Sequence, residues 1–308
     1  MKPVAECRSS SAPGAAGVAF DAPLSRARLA DYVELTKPRI ASLVLVTTAV
    51  GFALASVDGI DLIRLLHTIV GTALAAAGAN SLNQYLERDV DALMPRTARR
   101  PIPTGRMAPI EAAGFGVLTS LAGVGYLFFL ANPLAAAVAA VTVASYVLIY
   151  TPLKRRTPWC TPVGAVPGAL PPVIGWAAAR GDLSLGAWLL FAIIFVWQIP
   201  HFWSIAWMYR DDYRRGGLPM LPVIDADGRR TARQVVGLSV LLLVISVLPS
   251  WTGMAGAWYA AGAILLGAGF IAFGVWFSIH RTRVHARRLM LASIAYLPLV
   301  LGLLLIDR

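Results

Sequence analysis

Read for its hydrophobic pattern, the chain divides into nine long apolar runs, near residues 39–57, 63–83, 109–130, 133–150, 162–179, 185–207, 234–251, 256–278 and 289–306. Each approaches the roughly 20 residues that a helix needs to cross a bilayer. Most are apolar on every side and lack the polar stripe that a helix at a water-facing surface shows. Short loops join them and leave no room for a separate water-soluble domain. The pattern predicts an all-α polytopic membrane protein, about nine transmembrane helices in a single bundle over residues 31–308. Residues 1–30, rich in Ser, Ala, Gly and Pro, predict a disordered cytoplasmic tail, with a short amphipathic stretch at Leu29–Leu35 lying at the interface. The tail has no long apolar core, which excludes a secretory signal peptide. A mitochondrial transit peptide is the alternative, and Glu6, Asp21 and Asp31 count against it.

Composition agrees. Hydrophobic residues make up 57% of the chain and charged residues only 14%, against roughly a quarter charged in a soluble domain. The two cysteines, Cys7 and Cys160, cannot make a disulfide framework, and neither sits in a CxxC pair. The net charge of +11 would suit a nucleic-acid binder if it lay on a soluble surface. It does not. All but Arg64, Arg180 and Arg308 of the 27 basic residues fall before span one or in the loops after spans two, four, six and eight. That asymmetry orients the N-terminus and these loops to the cytoplasm, and membrane lipid suffices as the basic surface's partner. The expected place is a bacterial inner membrane, multi-pass; a mitochondrial inner membrane is the alternative.

The 16 acidic residues gather rather than scatter. Span two runs into Asn83, Glu87 and Asp91, which recur every four residues. On a continuing helix they share one face, drifting about 40° per step over about 12 Å. Two carboxylates and an amide oxygen on one stripe suit a hard cation such as Mg²⁺, whose shell phosphate oxygens commonly complete. The plainer reading is a charged, solvated helix end beside the membrane. Arg96 and Arg100 follow within the same stretch, and both are planar, permanently charged partners for a diphosphate. Asp89 points elsewhere and suits a neighbouring arginine. After span four come Tyr150, Lys154 and Arg155, which suit either diphosphate oxygens or a topogenic basic cluster. After span six, Asp211 and Asp212 again meet arginines. Two acid-bearing segments four spans apart suggest an internal duplication, with sites at the repeat interface.

These segments together resemble the UbiA superfamily of intramembrane prenyltransferases, and within it the branch that makes heme O. The matching residues are Asn83, Glu87, Asp91, Met94, Arg96, Thr97, Arg100 and Pro101; then Tyr150 to Arg155; then Trp197 to Phe202, Asp211 to Tyr213, Gly216, Gly217 and Met220 to Val223. The resemblance runs over roughly residues 30–306. Quinone-type relatives carry Asp where Glu87 stands and a spaced acidic pair where Asp211 and Asp212 adjoin. Both departures agree with the heme branch, as does His201.

The resemblance implies transfer of a farnesyl group from farnesyl diphosphate to a vinyl group of heme B, with water added. It implies Mg²⁺ held by Asn83, Glu87, Asp91 and Asp212, with Lys154 and Asp211 completing the catalytic set. Arg96, Arg100, Tyr150, Arg155, His201 and Tyr213 are then the substrate-binding residues. Heme is a substrate and not a cofactor. A heme-copper oxidase assembly or a heme A synthase is the implied downstream partner. An allylic cation needs shielding, for which Tyr150, Trp203 and Trp207 are candidates by cation–π contact; interfacial aromatic belts explain such residues equally. His201 suits heme iron, a propionate or a structural hydrogen bond. His67, inside span two, suits a bond to a neighbouring helix; His280 and His285 suit solvent. Rival readings are a different prenyl acceptor, a transporter, and a lipid phosphotransferase, whose acidic cluster usually carries an Asp-Gly step that both segments lack.

Overall fold

The computed structural model describes residues 26–308, and every regular element among them is helical. Helix α1 (Arg26–Thr36) leads through Lys37 into α2 (Pro38–Ala55). Lys37 takes a left-handed conformation, φ 51°, which turns the chain, and Pro38 then sits at the first helical position, where no N–H is needed. α3 (Leu62–Leu93) opens on Asp61, whose side chain accepts from the Arg64 amide, and runs for 32 residues. α4 (Pro109–Leu130) returns antiparallel to it. α5 (Pro133–Ala144) is capped by Asn132 and passes through a π-helical turn (Ser145–Tyr150) into α6 (Thr151–Leu153).

The run expected as a fifth continuous span is instead two helices of ten residues, α7 (Cys160–Ala169) and α8 (Pro171–Arg180). The cause is covalent: Pro171 and Pro172 donate no N–H, and their rings collide with carbonyls one turn back. Each piece is about 15 Å long, so only the pair reaches across. After α9 (Leu185–Met208), the short α10 (Arg210–Arg215) and α11 (Leu221–Ile224) precede α12 (Arg229–Trp251), α13 (Ala257–His280) and α14 (Arg283–Ile306). Eight helical segments among the described residues are long and apolar enough to cross a membrane, and they coincide with the other eight apolar runs. As predicted, the fold is an all-α, multi-pass membrane bundle.

Polarity is arranged inside out. Leu118, Phe129, Leu148 and Leu265 face outward, whereas Thr48, Ser81, Gln84, Gln198, Ser239 and Ser246 are buried. In a lipid solvent the interior collects polar groups, and close packing of small residues holds helices together. The α2–α8 contact shows this: a methyl group at Gly175 would overlap the Thr48 carbonyl, and one at Gly51 the Pro172 carbonyl.

The tail predicted over 1–30 lies outside the described residues up to residue 25; from Arg26 the chain is helical, so α1 takes in its last residues. α1 is tied down on the arginine-rich end of the bundle. Arg28 and Tyr32 both reach Glu111 at 2.6 Å, and Arg106 pairs with Asp31 and Glu34. Leu35 is fully buried. From α3, Gln84 and Asn80 donate to the carbonyls of Leu35 and Thr36, each at 3.0 Å.

Candidate active site

The long helix α3 carries Asn83, Glu87 and Asp91 on one face, as its four-residue spacing requires, and all three are buried, at 2%, 4% and 1% exposure. Each meets one basic group. Lys37 donates to Asn83 Oδ1 at 2.7 Å, Lys154 to both Glu87 oxygens at 3.0 and 3.2 Å, and Arg100 to Asp91 Oδ2 at 2.5 Å. A buried carboxylate is tolerable only with such partners.

Local sequence explains how the cations arrive. Pro95 forces Met94 into extended backbone, which ends α3. Thr97 then folds the chain back, its hydroxyl donating to the Asp91 carbonyl at 2.8 Å, and this returns Arg100 to the acid it follows. Arg96 lies over the rings of Tyr209 and Tyr213, at 5.1 and 5.6 Å, and donates to the Tyr213 hydroxyl at 3.3 Å. Lys154 comes from the far side, beyond the π-turn. Pro152 has no N–H to offer one turn back, and the helix widens there. Thr151 Oγ1 donates to the Tyr146 carbonyl at 2.8 Å and accepts from Asn83 Nδ2 at 3.1 Å. The amide of Asn83 is thus oriented at both ends, with its oxygen toward Lys37.

The lysines differ in charge. Burial, aided by Arg100, holds the Lys37 ammonium down at about 7, against the pull of Glu87. Burial would also strip Lys154, but the adjacent Glu87 carboxylate outweighs it and keeps Lys154 well above an ordinary lysine.

Beside this cluster a cavity of about 360 Å³ runs between α2, α3, α7 and α9; Lys154 lines it, whereas Lys37, Asn83, Glu87, Asp91 and Arg100 lie outside its lining. Arg96, Lys154, Tyr150 and Tyr213 stand at its polar head; Val44, Ala76, Pro167, Pro171 and Ile205 form apolar walls. The rings of Tyr146 and Tyr150 lie 5.4 Å apart along it. A recess of about 440 Å³ beside Asp225, Asp227 and Arg230 has no comparable apolar wall, and Asp225 there is spent capping Thr231.

The second acidic segment packs on the same end of the bundle, with Gly216 against Val90 and Met94 and Tyr213 against Arg96. Its acids have local arginine partners. Asp211 is exposed and pairs with Arg214 at 2.9 Å, and Asp212 lies 3.7 Å from Arg215. Among the described residues no three His, Cys, Asp or Glu side chains gather as a metal cluster. Arg155 is exposed and lies outside the cavity lining. His201 turns toward α14, with Nδ1 2.6 Å from Ser293 Oγ. Of the aromatic candidates only Tyr150 lines the cavity. Trp203 is buried elsewhere, and Trp207 sits edge-on to Phe277. His67 bonds Tyr126 on α4 at 2.9 Å, and His280 stacks on His285 at the surface.

Sequence reasoning missed Lys37 and Tyr146. A signal for Lys37 existed: the chain has three lysines among 27 basic residues, and two of them meet here.

The donor set suits a hard divalent cation. Asp91 Oδ1 is a buried carboxylate oxygen with no hydrogen-bond partner, one helical turn beyond Glu87 on the same face of α3. Oxygen donors of this kind, few in number, fit an ion that keeps waters and takes phosphate oxygens.

A model of the UbiA prenyltransferase family matches residues 44–297. The chain is 51% identical over 287 residues to a protein named protoheme IX farnesyltransferase from Solibacter usitatus (strain Ellin6076), covering 90% of this chain and 98% of that one. It is 47% identical over 277 residues to the protein of the same name from Salinibacter ruber (strain DSM 13855 / M31), with coverage of 90% and 98%. Among solved structures, a digeranylgeranylglyceryl phosphate synthase superposes with a TM-score of 0.77 at 18% identity, covering 91% of this chain and 98% of that one. A UbiA homolog from Archaeoglobus fulgidus bound to DMAPP and Mg²⁺ gives 0.64 at 15% identity, covering 89% and 99%.

Proposed function

The chain belongs to the UbiA prenyltransferase family, and from that premise we propose that it transfers a farnesyl group from farnesyl diphosphate to a vinyl group of heme B, with addition of water, giving heme O and diphosphate. The observation that carries the reading is an apolar cavity headed by Lys154 and Arg96, Lys154 tying it to the buried Glu87 at one end of the bundle. A molecule with an anionic head and a hydrocarbon tail fits both at once. The names of the relatives from Solibacter usitatus and Salinibacter ruber support heme as acceptor.

In the reaction the farnesyl C1–O bond breaks and its electron pair leaves with the diphosphate. Lys154, Arg96 and Arg100 neutralise the charge that develops there. Asn83, Glu87 and Asp91 would hold Mg²⁺, which supplies Lewis-acid stabilisation of the leaving diphosphate. The Archaeoglobus fulgidus homolog bound to DMAPP and Mg²⁺ supports this. The faces of Tyr146 and Tyr150 shield the allylic cation from water until the vinyl terminal carbon attacks it. The new cation, on the vinyl carbon next to the ring, then takes the oxygen of water, which loses a proton.

The arginine-rich end faces the cytoplasm of a bacterial inner membrane in this reading. The test uses purified protein in detergent with farnesyl diphosphate, heme B and Mg²⁺. A heme eluting later than heme B by reversed-phase chromatography, formed without any ion gradient, is expected. Unchanged heme together with a prenylated phenol in the parent membranes would overturn the acceptor.

A further inference from the structure

Gln198 is a polar side chain inside the span α9, 3% exposed, on the lining of the cavity. Its nitrogen is spent. Nε2 donates to the Ala165 carbonyl of α7 at 2.8 Å, and a carbonyl can accept only from that end of the amide, so the bond fixes where the oxygen lies. The oxygen is not spent. Among the described residues no donor reaches Oε1, which opens on the cavity. The sequence makes room for it there. A methyl group at Gly168 would stand 2.2 Å from Oε1, so only glycine lets the amide lie against α7. The bond to Ala165 explains the nitrogen as a tie between two helices. It leaves the oxygen unused by the fold, and an acceptor under cover in an apolar wall costs free energy unless something donates to it.

Of the reactants proposed above, water alone can donate. A farnesyl chain carries only C–H bonds, and a diphosphate on Mg²⁺ accepts. Heme B holds iron on its pyrrole nitrogens and presents its propionates as anions. We infer, on the reaction proposed above, that Gln198 Oε1 binds the water that adds to the vinyl group, and that Gly168 is the positioning residue that gives this oxygen its place.

Once the vinyl terminal carbon has bonded to farnesyl C1, the carbon next to the ring is a cation. A lone pair of the held water forms the C–O bond there, while one O–H points at Oε1 and is polarised by it. The oxonium then sheds a proton to the released diphosphate, and no oxidation state changes. Without a held water, the same cation loses a proton from the neighbouring carbon and closes to an alkene, a product lighter by one water. Position also protects the earlier step. A side chain at Gly164 would meet the Tyr150 ring at 2.5 Å, and Gly168 lies one turn further along α7, about 6 Å. The water is thus tethered a turn away from the ring that shields the allylic cation.

The test gives the purified full-length chain in detergent farnesyl diphosphate, heme B and Mg²⁺ in isotopically labelled water, and reads the farnesylated hemes by mass spectrometry. Wild type is expected to yield the hydroxylated product carrying the label. Gln198→Leu keeps volume and removes the acceptor; its ratio of alkene to alcohol should rise on the order of tenfold, the worth of one hydrogen bond. Gly168→Ala, which pushes the amide oxygen aside, should shift the ratio the same way. Gln198→Glu should return it toward wild type, because a protonated carboxyl can bond Ala165 and still present an oxygen. The ratio is read among products formed, so a variant that merely folds poorly lowers both and leaves it unmoved. A wild-type ratio in Gln198→Leu overturns the inference, as does a wild type that yields only the alkene; should Gln198→Leu form no product, Gly168→Ala decides in its place. Absence of any farnesylated heme from wild type strikes the proposed reaction instead.

Discussion

The acids of α3 and those of α10 have similar sequence surroundings and opposite physical circumstances. The side chains of Glu87 and Asp91 are 6% and 1% exposed, whereas those of Asp211 and Asp212 are 69% and 20% exposed. Both pairs stand at helix ends beside arginines on the same end of the bundle. Asp211 and Asp212 meet arginines three residues on in their own helix, a local pairing worth about 0.3–0.5 kcal/mol at a surface. Glu87 meets Lys154 from 67 residues away, and Asn83 meets Lys37 from 46 residues away. Local pairs solvate a helix end. Distant pairs, made under cover, hold several chain segments around one point, where charge interactions are strong because water is excluded. The difference teaches that charge pattern alone names candidates, and that burial with non-local partners selects among them.

The largest way to break the comparison is at Asp91. Asp91→Asn keeps shape, removes one charge and replaces an orphaned oxygen or its mate with a donor. Turnover should fall by on the order of a thousandfold, a loss of about 4 kcal/mol of transition-state stabilisation, while the protein still inserts and purifies. Near-normal kcat at ordinary Mg²⁺ would contradict it. Next comes Lys154→Ala, which removes a diphosphate partner and strands the buried Glu87. KM for farnesyl diphosphate should rise by ten- to a hundredfold, roughly 1.4–2.7 kcal/mol, more than kcat falls. A KM equal to wild type would remove Lys154 from the site. On the other side of the comparison, Asp211→Asn should change kcat/KM by less than about twofold, because that carboxylate answers only to Arg214 and water. A hundredfold loss there would mean that α10 moves inward to share the cation, and the contrast drawn above would be lost.

How much of this was legible in the sequence follows the same line between local and distant. Eight apolar runs became helices because length and hydropathy are local properties. The break at Leu170 was written in Pro167, Pro171 and Pro172, but uniform apolarity masked it. The stripe Asn83, Glu87, Asp91 was legible because helical periodicity is local. Its partners were only partly so. Arg100 is nine residues from Asp91, within reach of a turn. For Lys37 the scarcity of lysine was the one signal, because its place depends on Asn80 and Gln84 gripping the end of α1. Tyr146 was hidden by the π-turn, which rotates it onto the wall with Tyr150. His201 drew notice as a polar residue in a span, but its partner Ser293 lies 92 residues away, and only the fold brings the two together.

The smallest effect sharpens the comparison most, because it separates the two lysines of the buried cluster. Burial holds Lys37 at about 7, far below the roughly 10.4 of an ordinary lysine. At pH 8 the anion-free chain therefore carries Lys37 mostly neutral, whereas Lys154, tied to Glu87, stays charged. A bound anion favours the ammonium form and raises the pKa, so inorganic diphosphate should bring a proton with it, less than about one per site. The sign is uptake above pH 7, fading below it, where Lys37 is already charged. Calorimetric titration at pH 8 in two buffers of different ionisation enthalpy measures it directly. Uptake should vanish in Lys37→Met. Persistence of the uptake in that variant would place the proton elsewhere in the cluster. Proton release would mean that Lys37 does not face the anion and serves only to orient Asn83.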